Sequence, residues 1–155
     1  MKIALAALVL CPILLASGCK EKPAPPPPPN PIIGAWACTA TADKTTAKIN
    51  TTFAADGTLT ARISIKATLE GKQLVGKLDA AGSWGGSGNL FSQNLGAMTV
   101  LSSTSNGDQS TKGAATSLVR SLGLEAQDMV VEQLDETDFV YVTRAATVTC
   151  KRQAA

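Results

Sequence analysis

Residues 58–70 alternate without interruption: Leu59, Ala61, Ile63, Ile65, Ala67 and Leu69 fall on one side, and Thr58, Thr60, Arg62, Ser64, Lys66 and Thr68 on the other. Successive side chains of a strand point to opposite faces, so this run predicts a β-strand buried on one face and wet on the other. A strand of that kind requires a sheet, and the chain around it is written in the same way. Ile49, Thr51 and Phe53 precede an Asp56-Gly57 turn signal, where glycine accepts the positive φ of a tight hairpin. Glu70-Gly71-Lys72 then turns the chain into Leu74, Gly76, Leu78, Ala80, Gly82 and Trp84. Further strands are expected at 95–101, 129–134, 139–144 and 146–151, with Asp135-Glu136-Thr137 as a turn. Residues 114–123 read as one short helix with Leu118, Val119 and Leu122 on a common face. The glycine-rich stretch 82–88 reads as a flexible turn, and the polar stretch 102–113 as a loop.

Runs at this spacing predict an all-β, antiparallel up-and-down meander with one short helix, which must close or stack to remove its edges. The folded domain is assigned to residues 32–152, enough for a single modest core. Chemistry is narrowed by what is missing. The chain has no histidine, which excludes Ser-His and Cys-His nucleophiles and histidine-bearing zinc sites. Fourteen basic against twelve acidic residues argue against a nucleic-acid partner. Gly85-Gly86-Ser87-Gly88 is neither a Walker loop nor a nucleophile elbow. Asp135, Glu136 and Asp138 lack the alternating spacing of a calcium loop and read as a solvated hairpin. No catalytic residue, cofactor or metal site is therefore expected. Residues 32–77 carry six basic and three acidic residues, and 78–152 five basic and eight acidic. In a closed sheet this split is expected to be ordinary scatter over a shared surface.

The amino end is of a different kind. Lys2 and the apolar run 3–16, too short to span a bilayer, read as an export leader. Leu14-Leu15-Ala16-Ser17-Gly18-Cys19 resembles the lipobox of bacterial lipoproteins. The resemblance implies cleavage after Gly18, a diacylglycerol thioether on Cys19 and an acyl chain (palmitate) on the new amino terminus. An ordinary secretory cut after the same small residues is the competing reading and leaves Cys19 a free thiol. The organisation is then a lipoprotein signal peptide at 1–18, a lipidated cysteine with a Pro-rich linker at 19–31, and the domain. Seven of the eight prolines lie between Pro23 and Pro31. This tract is a polyproline II stalk reaching roughly 28 Å. Lys20, rather than an aspartate, after the lipidated cysteine fits sorting to the outer membrane, with the domain in the periplasm.

With Cys11 lost in the leader and Cys19 used by the anchor, Cys38 and Cys150 remain, and in an oxidising compartment they most simply form a disulfide. In an even-stranded closed sheet the first and last strands lie antiparallel. Cys38 opposite Cys150 then places Trp36 opposite Arg152.

Gly34-Ala35-Trp36 resembles the G-x-W motif that opens the first strand of lipocalin-like barrels, Phe53-Ala54-Ala55-Asp56-Gly57-Thr58 looks like the F-x-x-D-G-T hairpin of small bacterial lipocalin-like domains, and Gly82-Ser83-Trp84 resembles their later G-x-W strand. The resemblance implies an up-and-down lipocalin-like β-barrel closed by a basic side chain packed across Trp36, with Arg152 in that part and Arg144 as the other candidate. It implies a non-enzymatic lipid-anchored domain that binds a small apolar ligand or an envelope component. From another class, a periplasmic inhibitor or immunity protein that blocks a hydrolase through the 102–113 loop fits the same residues. A purely structural envelope role is a third expectation.

Overall fold

The computed structural model describes residues 30–87, 89–109 and 112–154. The leader, Cys19 and linker residues 19–29 lie outside them. Along the described chain come β1 (Gly34–Ala42), β2 (Thr45–Phe53), β3 (Thr58–Leu69), β4 (Lys72–Ser87), β5 (Leu90–Ser105), β6 (Asp108–Gln109), α1 (Lys112–Ser121), β7 (Ala126–Leu134), β8 (Asp138–Val142) and β9 (Thr147–Arg152). All pairings are antiparallel. Apart from β6, each strand lies beside its chain neighbours, and β1 pairs with β9, so eight strands form a ring.

One line of paired residues shows how the ring is sheared. It runs Leu90, Val130, Val142, Thr147, Thr41, Thr46, Lys66, Val75 and Thr104, and so returns to β5 fourteen residues beyond its start. Closing a twisted sheet on itself requires strand tilt and stagger of this kind. Because ring order follows chain order, the two halves of the sequence occupy opposite halves of the ring. The expectation that the charge split is scatter is corrected by this. The strand residues of β1 to β4 carry five cations and one carboxylate, whereas those of β5 to β9 carry four carboxylates and two cations.

The alternating face of β3 points inward, with Leu59, Ala61, Ile63, Ile65 and Ala67 buried, and Ala40, Ala47, Ile49, Leu78 and Val148 join it from neighbouring strands. Leu69, counted on the same face, lies at the strand end and is 51% exposed. The two ends of the ring are filled differently. All six aromatic residues of the chain stand in one edge-to-face and tilted cluster: Trp36, Phe53, Trp84, Phe91, Phe139 and Tyr141, with centroids 4.9 to 6.3 Å apart. The few large rings this composition holds thus plug a single end. The other end is covered by α1 and the residues after it, whose Ala115, Leu118, Val119, Leu122 and Leu124 are buried. Ala115 sits against Gly76, which Ile65 also adjoins, as the helix packs on β3, β4 and β5.

Two sequence expectations are corrected. The glycine-rich turn is strand: Gly82, Gly85 and Gly86 lie within β4. A Cβ on Gly82 would stand 1.7 Å from the Asn94 carbonyl oxygen, so the backbone of β5 crosses here where only glycine fits. The β4–β5 register shifts at this point, between Ala81 and Ser83. Half of the loop expected at 102–113 is strand, since β5 runs to Ser105, turns at Asn106 and Gly107, and returns as β6. The helix begins at Lys112 and ends at Ser121, two residues earlier at each end than the periodicity indicates.

Candidate functional site

The aromatic end is fastened by residues from both termini of the domain. Trp36 is buried, and its indole N–H donates to the Ile32 carbonyl at 2.8 Å. It stands opposite Arg152 in the β1–β9 register, and the guanidinium carbon lies 4.2 Å from the ring centroid. The same guanidinium donates through Nη1 to the Ile33 carbonyl at 3.0 Å, and through its other nitrogens to the carbonyls of Pro31 and Glu136. One planar cation therefore ties the entering chain to the β7–β8 turn while covering the tryptophan face. Gly34 makes room for it: its φ is +132°, and a Cβ there would stand 2.6 Å from Arg152 Nη1. Arg144, the other basic candidate, is exposed in the β8–β9 turn.

Cys38 and Cys150 face inward two residues further along the same pair of strands, both buried, and are joined by a disulfide with an S–S distance of 2.06 Å and a sequence separation of 112. Near the tryptophan end the β2–β3 hairpin is locked. Asp56 Oδ1 accepts from the Thr58 backbone N–H at 2.9 Å and its hydroxyl at 2.7 Å, which holds the Asp56 carboxyl below its usual range. Trp84 meets this hairpin twice, donating its backbone N–H to the Gly57 carbonyl at 2.8 Å and its indole N–H to the Ala54 carbonyl at 2.9 Å. The three short motifs of the sequence thus gather at one end of the molecule.

The opposite mouth has a different character. Between the β1–β2 hairpin, the end of β3 and the end of α1 lies an open cleft of about 770 Å³, lined by Ala42, Lys44, Thr45, Leu69 and Leu122 among others. A smaller depression of about 380 Å³ lies along the wall of β2 to β4, where Thr52, Thr60, Arg62, Asp79 and Gln153 make it polar. Behind the mouth cleft the helix end is pinned by interior polar groups that the sequence reading did not single out. Thr143 donates to the Leu122 carbonyl at 2.8 Å and accepts from the Ala146 N–H at 2.9 Å. Gln93 donates to the Leu124 carbonyl and hydrogen-bonds the Tyr141 hydroxyl. Burial pushes the Tyr141 phenol well above its usual pKa, so it is a neutral structural group. Gln93 was visible as a polar residue between Phe91 and Leu95 on an otherwise apolar alternation. Asp135 caps its own turn, accepting from the N–H groups of Thr137 at 2.8 Å and Asp138 at 2.7 Å. Asp138 pairs with Lys151. Asp56, Asp135 and Asp138 are thereby occupied as turn and cross-strand anchors, and among the described residues no three His, Cys, Asp or Glu side chains gather as metal ligands.

No family model matches the chain, and no curated protein matches it in sequence.

Proposed function

We propose that this chain is a lipid-anchored bacterial envelope lipoprotein, carried on Cys19 in the outer membrane, whose periplasmic domain is a non-enzymatic lipocalin-like β-barrel that binds a small apolar ligand or the acyl part of an envelope component at its helix-side mouth. The observation that carries the reading is the asymmetry of the ring. One end is stoppered by six aromatic rings and the Trp36–Arg152 clasp; the other is covered by a helix and leaves an open cleft with Leu69 half-exposed beside it. Eight meandering strands, closed first to last with a large stagger, support the barrel assignment. The interior is filled by aromatic, aliphatic and helix side chains, which favours the mouth cleft over the deep interior as the seat of the proposed ligand. Its volume lies in the range of small-molecule sites.

Native mass spectrometry of the protein purified from envelopes tests this. A retained apolar molecule, lost in Leu69→Glu, is the expected result. An empty domain carrying one stoichiometric protein supports the inhibitor class instead and contradicts the reading. The anchor is tested separately: the intact mass of the mature chain should include a diacylglyceryl group and an acyl chain on Cys19, and Cys19→Ser should release the protein from the membrane fraction.

A further inference from the structure

The outer wall of β2, β3 and β4 holds a set of cations for which the fold has no internal use. Lys48 and Lys77 stand directly across from Ser64 on its two neighbouring strands, and Lys66 is the next outward residue along β3. All three lysines are exposed. Their inward neighbours Ala47, Ile49, Ile65, Ala67 and Leu78 are buried, so the alternation fixes the lysines on one face. Asp79 is the single carboxylate among the strand residues of β1 to β4, and it is occupied by Arg62 at 2.8 Å. None of the ion pairs found among the described residues includes Lys48, Lys66 or Lys77.

We propose that this face is a docking surface for an anionic lipid headgroup layer, against which the domain lies on its side. Charge complementarity selects the partner's sign, and the texture of the face selects its kind. The outward residues around the lysines on β2 and β3 are Thr46, Asn50, Ser64 and Thr68, polar and hydrogen-bonding, and Val75, across from Lys66, is the apolar side chain that adjoins them on β4. All six aromatic side chains are committed to the core cluster, so the face has neither the aromatic anchors of a protein–protein hot spot nor the stacking platforms of a single-stranded nucleic-acid site. A hydrated surface of negative headgroups asks only for cations and hydroxyls, and attracts each lysine near it with roughly a fivefold gain in binding. The membrane anchor of the proposed function makes such weak contacts effective by raising the local concentration, and to that extent the inference rests on that reading. The carboxylate-rich β7–β8 side then faces away from the bilayer, because it lies across the ring from β2 and β3.

The test is co-sedimentation of the full chain with vesicles of phosphatidylcholine alone and of phosphatidylcholine with one-third phosphatidylglycerol, using wild type and the triple variant Lys48→Gln/Lys66→Gln/Lys77→Gln. Wild type should favour the anionic vesicles by roughly a hundredfold at low salt, the preference should collapse at high salt, and the variant should lose most of it while keeping the thermal midpoint of wild type. Equal binding to both vesicles, or an anionic preference that survives the triple substitution, would overturn the proposal. So would retention on heparin without vesicle binding, which assigns the face to a soluble polyanion. The difference between wild type and variant does not depend on lipid attached to Cys19, so an unlipidated mature chain with an intact preference would remove the anchor and leave the docking face standing.

Discussion

Arg152 is half-buried, yet its side chain joins two segments far apart in the chain: residues 31–36, through the Pro31 and Ile33 carbonyls and the face of Trp36, and the β7–β8 turn, through the Glu136 carbonyl. Arg152→Ala should destabilise the domain by about 1–3 kcal/mol through the lost cation–π contact and the unpaired carbonyls, read as a lower urea midpoint. Arg152→Lys should recover less than half of that loss, because an ammonium cannot fork. Glycine positions allow a sharper contrast. Gly82→Ala forces a methyl into the Asn94 carbonyl and should cost about 3 kcal/mol, whereas Gly96→Ala meets nothing within 4 Å and should be neutral within about 0.5 kcal/mol. The carboxylates set the pH response. Hydrogen bonds hold Asp135 (chiefly from Gln133), Asp138 (Lys151), Asp79 (Arg62) and Asp56 (Thr58) below the usual 3.8. The unfolded chain therefore takes up protons first, so this stability is whole above about pH 4 and is lost as the pH falls further. With no histidine, the thermal midpoint should be flat from about pH 5 to 8 and fall in acid; a step near pH 6.5 would contradict it.

Strands were legible in the sequence where one face is buried and the other wet, as β3 shows: its pattern begins at Thr58 in sequence and structure alike. They were hidden where glycine or serine stands at inward positions. Gly82 fits both the alternation that runs to Trp84 and the glycine-rich stretch that reads as a turn, because the reason for glycine, the carbonyl of Asn94 pressed against it, belongs to a strand 12 residues away. Ser103 is buried on β5, and a small polar residue in a Ser/Thr-rich stretch carries no inward signal of its own. The motif-bearing end could be read because it is built from short local sequences. The mouth cleft could not, since it gathers Lys44, Leu69, Leu122 and Ala145 from four elements whose meeting depends on the shear of the ring. At this scale the disulfide is the strongest single brace. It links the first and last strands across 112 residues, and Cys38→Ala/Cys150→Ala should cost about 4–5 kcal/mol in urea unfolding on the chain-entropy account.

For the whole molecule, chain order around the ring turns a feature of sequence composition into one of shape. Cations gathered in the first half of the domain become one wall, and carboxylates of the second half become the opposite wall. The same closure brings residues 31–36 to Arg152 and makes the aromatic stopper possible, leaving the open cleft at the helix-side mouth, where the proposed ligand would enter. All of this depends on the ring having no gap at its two long-range seams, β1 with β9 and β5 with β7. Cross-strand nuclear Overhauser effects in the intact protein test that most directly. Contacts between Thr39 and Thr149, and between Leu90 and Val130, are expected together in one species. Their absence at either seam, with the β2–β3 contacts intact, would mean an open sheet and contradict the account.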